Sequence, residues 1–89
     1  MNLPVEISFL MRVLFFAQTR DAAGTAELEM KVSGSLGVEE IWRALVAAQP
    51  RLAAFQKTTR LACNGEYANS ETRFTDADEV ALIPPVSGG

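Results

Sequence analysis

The residues that invite a chemical reading stand at the end of the chain, where Pro84-Pro85-Val86-Ser87-Gly88-Gly89 follows an apolar run. Prolines cannot continue a hydrogen-bonded ladder and favour an extended chain, while glycines carry no side chain. A stiff stalk with a slim tip is therefore expected, and six extended residues reach roughly 20 Å. That is far enough to carry the carboxylate of Gly89 into the active site of another protein, along a channel too narrow for residues with side chains. Taken by itself, a terminal Gly-Gly is an ordinary frayed chain end. Few other chemistries are open to this sequence. It has no histidine, which excludes Ser-His-Asp and Cys-His catalysis, HExxH zinc sites and imidazole proton shuttling. Cys63 is the single cysteine, so disulfide frameworks and cysteine-cluster metal sites are excluded as well, and no metal ligand set is read.

The elements that must position such a tail are legible in the apolar pattern. Met11–Ala17 (MRVLFFA) is apolar on both faces, with Val13 and Phe15 on one and Leu14 and Phe16 on the other, as in an interior strand. QTRDAAGT reads as a loop, and AELEMKV alternates Leu28, Met30 and Val32 with Glu27, Glu29 and Lys31, as in a strand with one wet face. After SGSLG, Val38, Ile41, Trp42, Leu45 and Val46 follow the spacing of an amphipathic helix, with Glu39 and Glu40 suiting the dipole of its first turn and Pro50 marking its end. This is the one main helix predicted, with an additional turn at Leu52–Phe55. RLACN, Asn64-Gly65 and EYA form a hairpin, because Asn-Gly supplies the positive φ angles of a type I′ turn. Asp76-Ala77-Asp78 makes a further turn before a last strand over Glu79–Pro84.

Strand, strand, helix, short strands and last strand predict an α+β fold, a mixed sheet of about five strands with its helix laid across one face. This is the β-grasp arrangement, here spanning residues 11–83 between an N-terminal extension (1–10) and the extended tail (84–89). The first and last strands are then central, parallel neighbours. Arg12 shares a face with Leu14 and Phe16, and Glu79 with Ala81 and Ile83, so that face points outward and Val13, Phe15, Val80 and Leu82 lie under the helix. An outward apolar patch containing Phe16 and Ile83 marks a protein interface.

A β-grasp reading that ends in Gly-Gly resembles ubiquitin and its relatives. More closely, MRVLFFAQTRD at 11–21, NGEY at 64–67 and DADEVALIPPVSGG at 76–89 resemble the small, sulfur-carrying subunits of molybdopterin synthase, the MoaD family. The first ten residues lie outside that pattern, and Ala77 stands where a glycine is common. The resemblance implies a chemistry centred on Gly89, with Gly88 beside it. A free carboxylate is a poor electrophile, so a ubiquitin-activating-like (MoeB-like) enzyme joins it to AMP at the expense of ATP, and a sulfur donor protein displaces AMP to leave a thiocarboxylate. Inside the large (MoaE-like) synthase subunit, that sulfur attacks the pterin precursor. The small subunit is then a cosubstrate without catalytic side chains and without a permanently bound cofactor, in a heterotetramer with the large subunit. The resemblance also places Leu14, Phe16, Ile83 and Val86 on the partner-contacting face, Arg20 at its rim, and Pro84, Pro85 and Ser87 along the inserted tail. Two alternatives stay open: a sulfur carrier for thiazole synthesis or tRNA thiolation, and a β-grasp interaction module whose Gly-Gly is incidental.

The remaining features have plainer readings. Eight Lys and Arg against eleven Asp and Glu give a net charge of −3, which argues against sequence-independent nucleic-acid binding. No stretch has the length of a membrane span or the form of a cleavable leader, so the expected compartment is the cytoplasm. Cys63, on Leu61's strand face, is a small core residue, and Trp42 belongs to the helix stripe. Asp76, Asp78 and Glu79 make a turn, since the glycine and distal glutamate of a calcium loop are missing.

Overall fold

The computed structural model describes residues 10–85; the expectations for residues 1–9, Val86, Ser87, Gly88 and Gly89 lie outside the described residues. The elements run β1 (Met11–Phe15), α1 (Ala17–Ala23), β2 (Glu27–Met30), α2 (Val38–Ala48), a 3₁₀ segment (Pro50–Phe55), β3 (Arg60–Cys63), β4 (Glu66–Tyr67) and β5 (Glu79–Ile83). The sheet order is β2-β1-β5-β3-β4. β1 and β5 are parallel, with Val13 opposite Val80, and the other pairings are antiparallel. This is the mixed five-stranded β-grasp sheet predicted from the order of elements. The parallel pair sits inside the sheet because only these two strands are apolar on both faces.

Alternation along the strands decides burial. Met11, Val13 and Phe15 of β1, with Val80 and Leu82 of β5, pack against Ile41, Trp42 and Leu45 of α2 and are almost fully enclosed. Burying each of the larger side chains is worth about 1.5–3 kcal/mol, so this layer dominates stability. α2 starts at Gly37, whose N–H donates to Glu40 Oε1 at 2.9 Å, and the acidic first turn suits the helix dipole.

Several expectations are corrected. Ala17, read as the end of the first strand, and residues 18–23, read as loop, form α1. No apolar stripe announces it, because a seven-residue helix needs only one buried pair, and Thr19 and Ala23, four residues apart, supply it. Gly24, read as a loop glycine, ends this helix in the left-handed conformation, with φ 75° and its N–H on the Arg20 carbonyl. The turn expected at Leu52–Phe55 is longer, a 3₁₀ segment that begins at Pro50 and buries Leu52. Pro50 therefore both stops α2 and opens the next segment, a position where its missing N–H costs nothing. The last strand stops at Ile83, one residue before Pro84. A further core residue, Phe74, is fully buried although its neighbours are polar. Its backbone N–H and carbonyl pair with Leu36, which stitches the segment after β4 to the entry of α2.

Candidate functional site: the outer face of the sheet and the root of the tail

β1 and β5 run in the same direction, so the outer face has a charged end where they begin and an apolar end where they finish. At the first end, Arg12 lies between Glu27 and Glu79, at 3.1 and 3.6 Å. All three are solvent-exposed enough that the pairs contribute little stability. They do explain why this face stays outward, since burying the Arg12 side chain would strip both partners of water.

Further along, Leu14 and Ala81 lie opposite one another and half-buried, followed by Ile83 and Phe16, which is 46% exposed. Ala62 pairs with Ala81 and Tyr67 with Ala62, so the patch continues across β3 to β4, where Tyr67 is 57% exposed. The guanidinium of Arg60 stacks over the Tyr67 ring, 3.9 Å from its centroid, a cation–π contact that holds the ring in place. Tyr67, Ala62 and Arg60 escaped the sequence reading. Counting outward from the Asn64-Gly65 turn would have found them, because a two-residue hairpin fixes Cys63 opposite Glu66 and hence Tyr67 opposite Ala62.

At the apolar end, β1 passes into α1 through a tight corner. Thr19 is fully buried; its hydroxyl accepts from the Phe16 N–H at 3.1 Å and donates to the Phe16 carbonyl at 2.7 Å. Ala17 takes φ 50°, a conformation that costs a residue with a Cβ about 1–2 kcal/mol. Packing and the Thr19 bonds maintain it. The corner holds Phe16 beside Ile83, and a shallow groove runs between residues 16–21 and Ile83-Pro84-Pro85, the root of the tail. Gln18 and Asp21 line that groove. Arg20 is exposed on α1 and its side chain is not part of the groove wall. Pro84 is half-buried and Pro85 exposed.

The titratable groups offer no catalytic constellation among the described residues. Burial pushes the Cys63 thiol up, and the carboxylates of Asp78 and Glu66 push it further, so the thiol stays protonated and poorly nucleophilic. Asp78 lies below the usual carboxylate range, held there first by the Thr75 N–H, at 2.7 Å, and then by the Asn64 amide, at 2.8 Å. Oδ2 closes its own turn onto Thr75 and Oδ1 reaches the Asn64-Gly65 turn, so the carboxylate is engaged in structural bonds. What the site offers is a partly exposed apolar face that ends at Pro84 and Pro85.

The ThiS family profile matches residues 13–89, from the third residue of β1 to the last residue of the chain. This chain belongs to the ThiS family. It is 37% identical over 81 residues to the molybdopterin synthase sulfur carrier subunit of Chlamydomonas reinhardtii, covering 89% of this chain and 98% of that one. The protein of the same description from Escherichia coli (strain K12) is 35% identical over 82 residues, covering 90% of this chain and all of the relative. Among solved structures of this fold, SAMP1 from Haloferax volcanii superposes with a TM-score of 0.78 at 32% identity, over 90% of this chain and 99% of that one. A chain from the complex of subunits 1 and 2 of the molybdopterin-converting factor of Helicobacter pylori gives 0.63 at 25% identity, over 90% and 99%. The ThiS-family chain described here thus matches sulfur carrier subunits over almost their whole length.

Proposed function

We propose that this chain is the sulfur carrier of molybdenum cofactor biosynthesis, the small subunit of a molybdopterin synthase. The observation that carries the reading is the match to molybdopterin synthase sulfur carrier subunits along 98–100% of their length. It favours this pathway over thiazole synthesis or tRNA thiolation. In this reading the Gly89 carboxylate is adenylated with ATP by a ubiquitin-activating-like enzyme, and a sulfur donor protein displaces AMP to leave the thiocarboxylate. The sulfur then attacks the pterin precursor inside the large subunit. The chain supplies the sulfur-bearing group and no catalytic side chain, so the acid and base groups belong to its partners, and it holds no permanent cofactor. Leu14, Phe16, Ile83 and Val86 dock on the large subunit and on the activating enzyme, with Arg20 at the rim. Pro84, Pro85, Ser87 and Gly88 carry the terminus inward. The assembly is a heterotetramer in the cytoplasm. No helix among the described residues is long and apolar enough to cross a membrane.

The test is intact mass after incubation with ATP, an adenylating partner and a sulfur source, with fragmentation to locate the change. Exchange of one oxygen for sulfur at Gly89 is expected. An unchanged mass, with a partner active on a known carrier, overturns the proposal in favour of an interaction module. The likeness to SAMP1, a small archaeal modifier protein, favours a second reading in which the activated carboxylate modifies another protein. A mass gain on a recipient protein instead of at Gly89 would support that.

A further inference from the structure

The Asn64-Gly65 turn joins β3 to β4 with φ 51° and 87° at its two residues. Asn followed by Gly is the sequence in which an asparagine amide is most open to attack by the next backbone nitrogen, because glycine has no side chain to hinder the approach. In this fold the amide is held elsewhere. Asn64 Nδ2 donates to Asp78 Oδ1 at 2.8 Å, and Asn64 Oδ1 accepts from the Glu79 N–H at 2.9 Å. The Asn64 backbone N–H donates to the Glu79 carbonyl at 2.8 Å. The side chain is thereby tied to residues 14 and 15 positions away in sequence, and both of its bonds must break before the amide carbon can turn towards Gly65.

We infer that Asn64 is a latent deamidation site, kept shut by its hydrogen bonds to Asp78 and Glu79 and exposed when the β3–β4 hairpin opens. In the reaction the Gly65 nitrogen bonds to Asn64 Cγ and gives up its proton. The Cγ–Nδ2 bond breaks and ammonia leaves with that proton. Water then opens the cyclic imide at either carbonyl, leaving aspartate or isoaspartate. Neither product restores the lock. Aspartate sets a carboxylate in place of the amide that donated to Asp78, two like charges within hydrogen-bond distance. Isoaspartate inserts a methylene into the main chain and breaks the type I′ geometry. The hairpin that carries Tyr67 is loosened, and the change is one-way.

The experiment follows deamidation by peptide mapping of the full chain, incubated at mildly alkaline pH folded and in denaturant, with Asn69, which precedes Ser70, as the internal comparison. Asn64 is expected to react faster than Asn69 in denaturant, and about tenfold or more slowly in the folded protein than in denaturant. Asp78→Ala, and Asp78→Leu should the first variant fail to fold, remove the acceptor for Nδ2 and are expected to speed Asn64 deamidation several-fold under native conditions. Equal rates folded and unfolded, an Asn64 slower than Asn69 in denaturant, or an Asp78 variant that folds and reacts at the wild-type rate would each overturn the inference.

Discussion

The two faces of the β1–β5 pair alternate along the same ten residues, and both carry apolar side chains, yet they differ in what covers them. On the inner face Val13, Phe15, Val80 and Leu82 are enclosed by α2, with at most 2% of their surface exposed. On the outer face Leu14, Ala81 and Ile83 are half-buried by their strand neighbours alone, and Phe16 stands out at the edge. Apolar side chains on one pair of strands thus have two outcomes. Inner side chains hold the fold, whereas outer ones contribute little to folding and remain available to a partner.

Leu82→Ala is the variant with the largest expected effect, a loss of about 2–5 kcal/mol in urea unfolding, because a cavity opens where nothing can collapse. Its neighbour Ile83→Asp is the complement. The isolated chain should lose less than about 1 kcal/mol, while affinity for a large synthase subunit, measured by calorimetry, falls more than about tenfold. If Ile83→Asp unfolds the domain, or Leu82→Ala leaves it untouched, the division between the faces is wrong.

Two smaller predictions address the corner that aims Phe16. Thr19→Val keeps the volume but leaves the Phe16 N–H without its hydroxyl partner, costing about 1–2 kcal/mol in the same assay. Ala17→Gly should instead stabilise the chain by about 0.5–1 kcal/mol, since glycine adopts the left-handed conformation without strain at some cost in unfolded-state entropy. A destabilised Ala17→Gly would mean that the methyl group contributes more packing than its backbone costs.

The smallest effect concerns pH. Asp78 is held below the ordinary carboxylate value, so its contribution is present at and above about pH 4 and is lost as pH falls through its lower folded value. Asp78→Asn should therefore flatten the acid limb of stability, and an unchanged limb would show that other carboxylates govern it.

Strand identity, the α2 stripe, the Asn64-Gly65 hairpin and the choice of faces were legible in the sequence because each rests on local periodicity, or on a residue pair with one favoured backbone geometry. Arg12 and Glu79 alone oriented the sheet. α1 was not legible, since its seven residues carry no stripe and depend on Thr19 and Ala23 finding a core built by distant strands. Phe74 was missed for a similar reason: a lone aromatic among polar residues gains meaning only when Leu36 is brought to it. Within the outer apolar face, Leu14, Phe16 and Ile83 follow from alternation, whereas Tyr67 joins them only through the order β5-β3-β4.

The sequence by itself therefore determined which residues alternate, where the chain turns, and that the last strand is followed by two prolines and, at 88–89, two glycines. Tertiary structure alone decided that β1 and β5 finish side by side, placing Phe16, Ile83 and the root of the tail at one end of the sheet. Local propensities act over a few residues, while that juxtaposition spans almost seventy and is set by which strands share the buried centre.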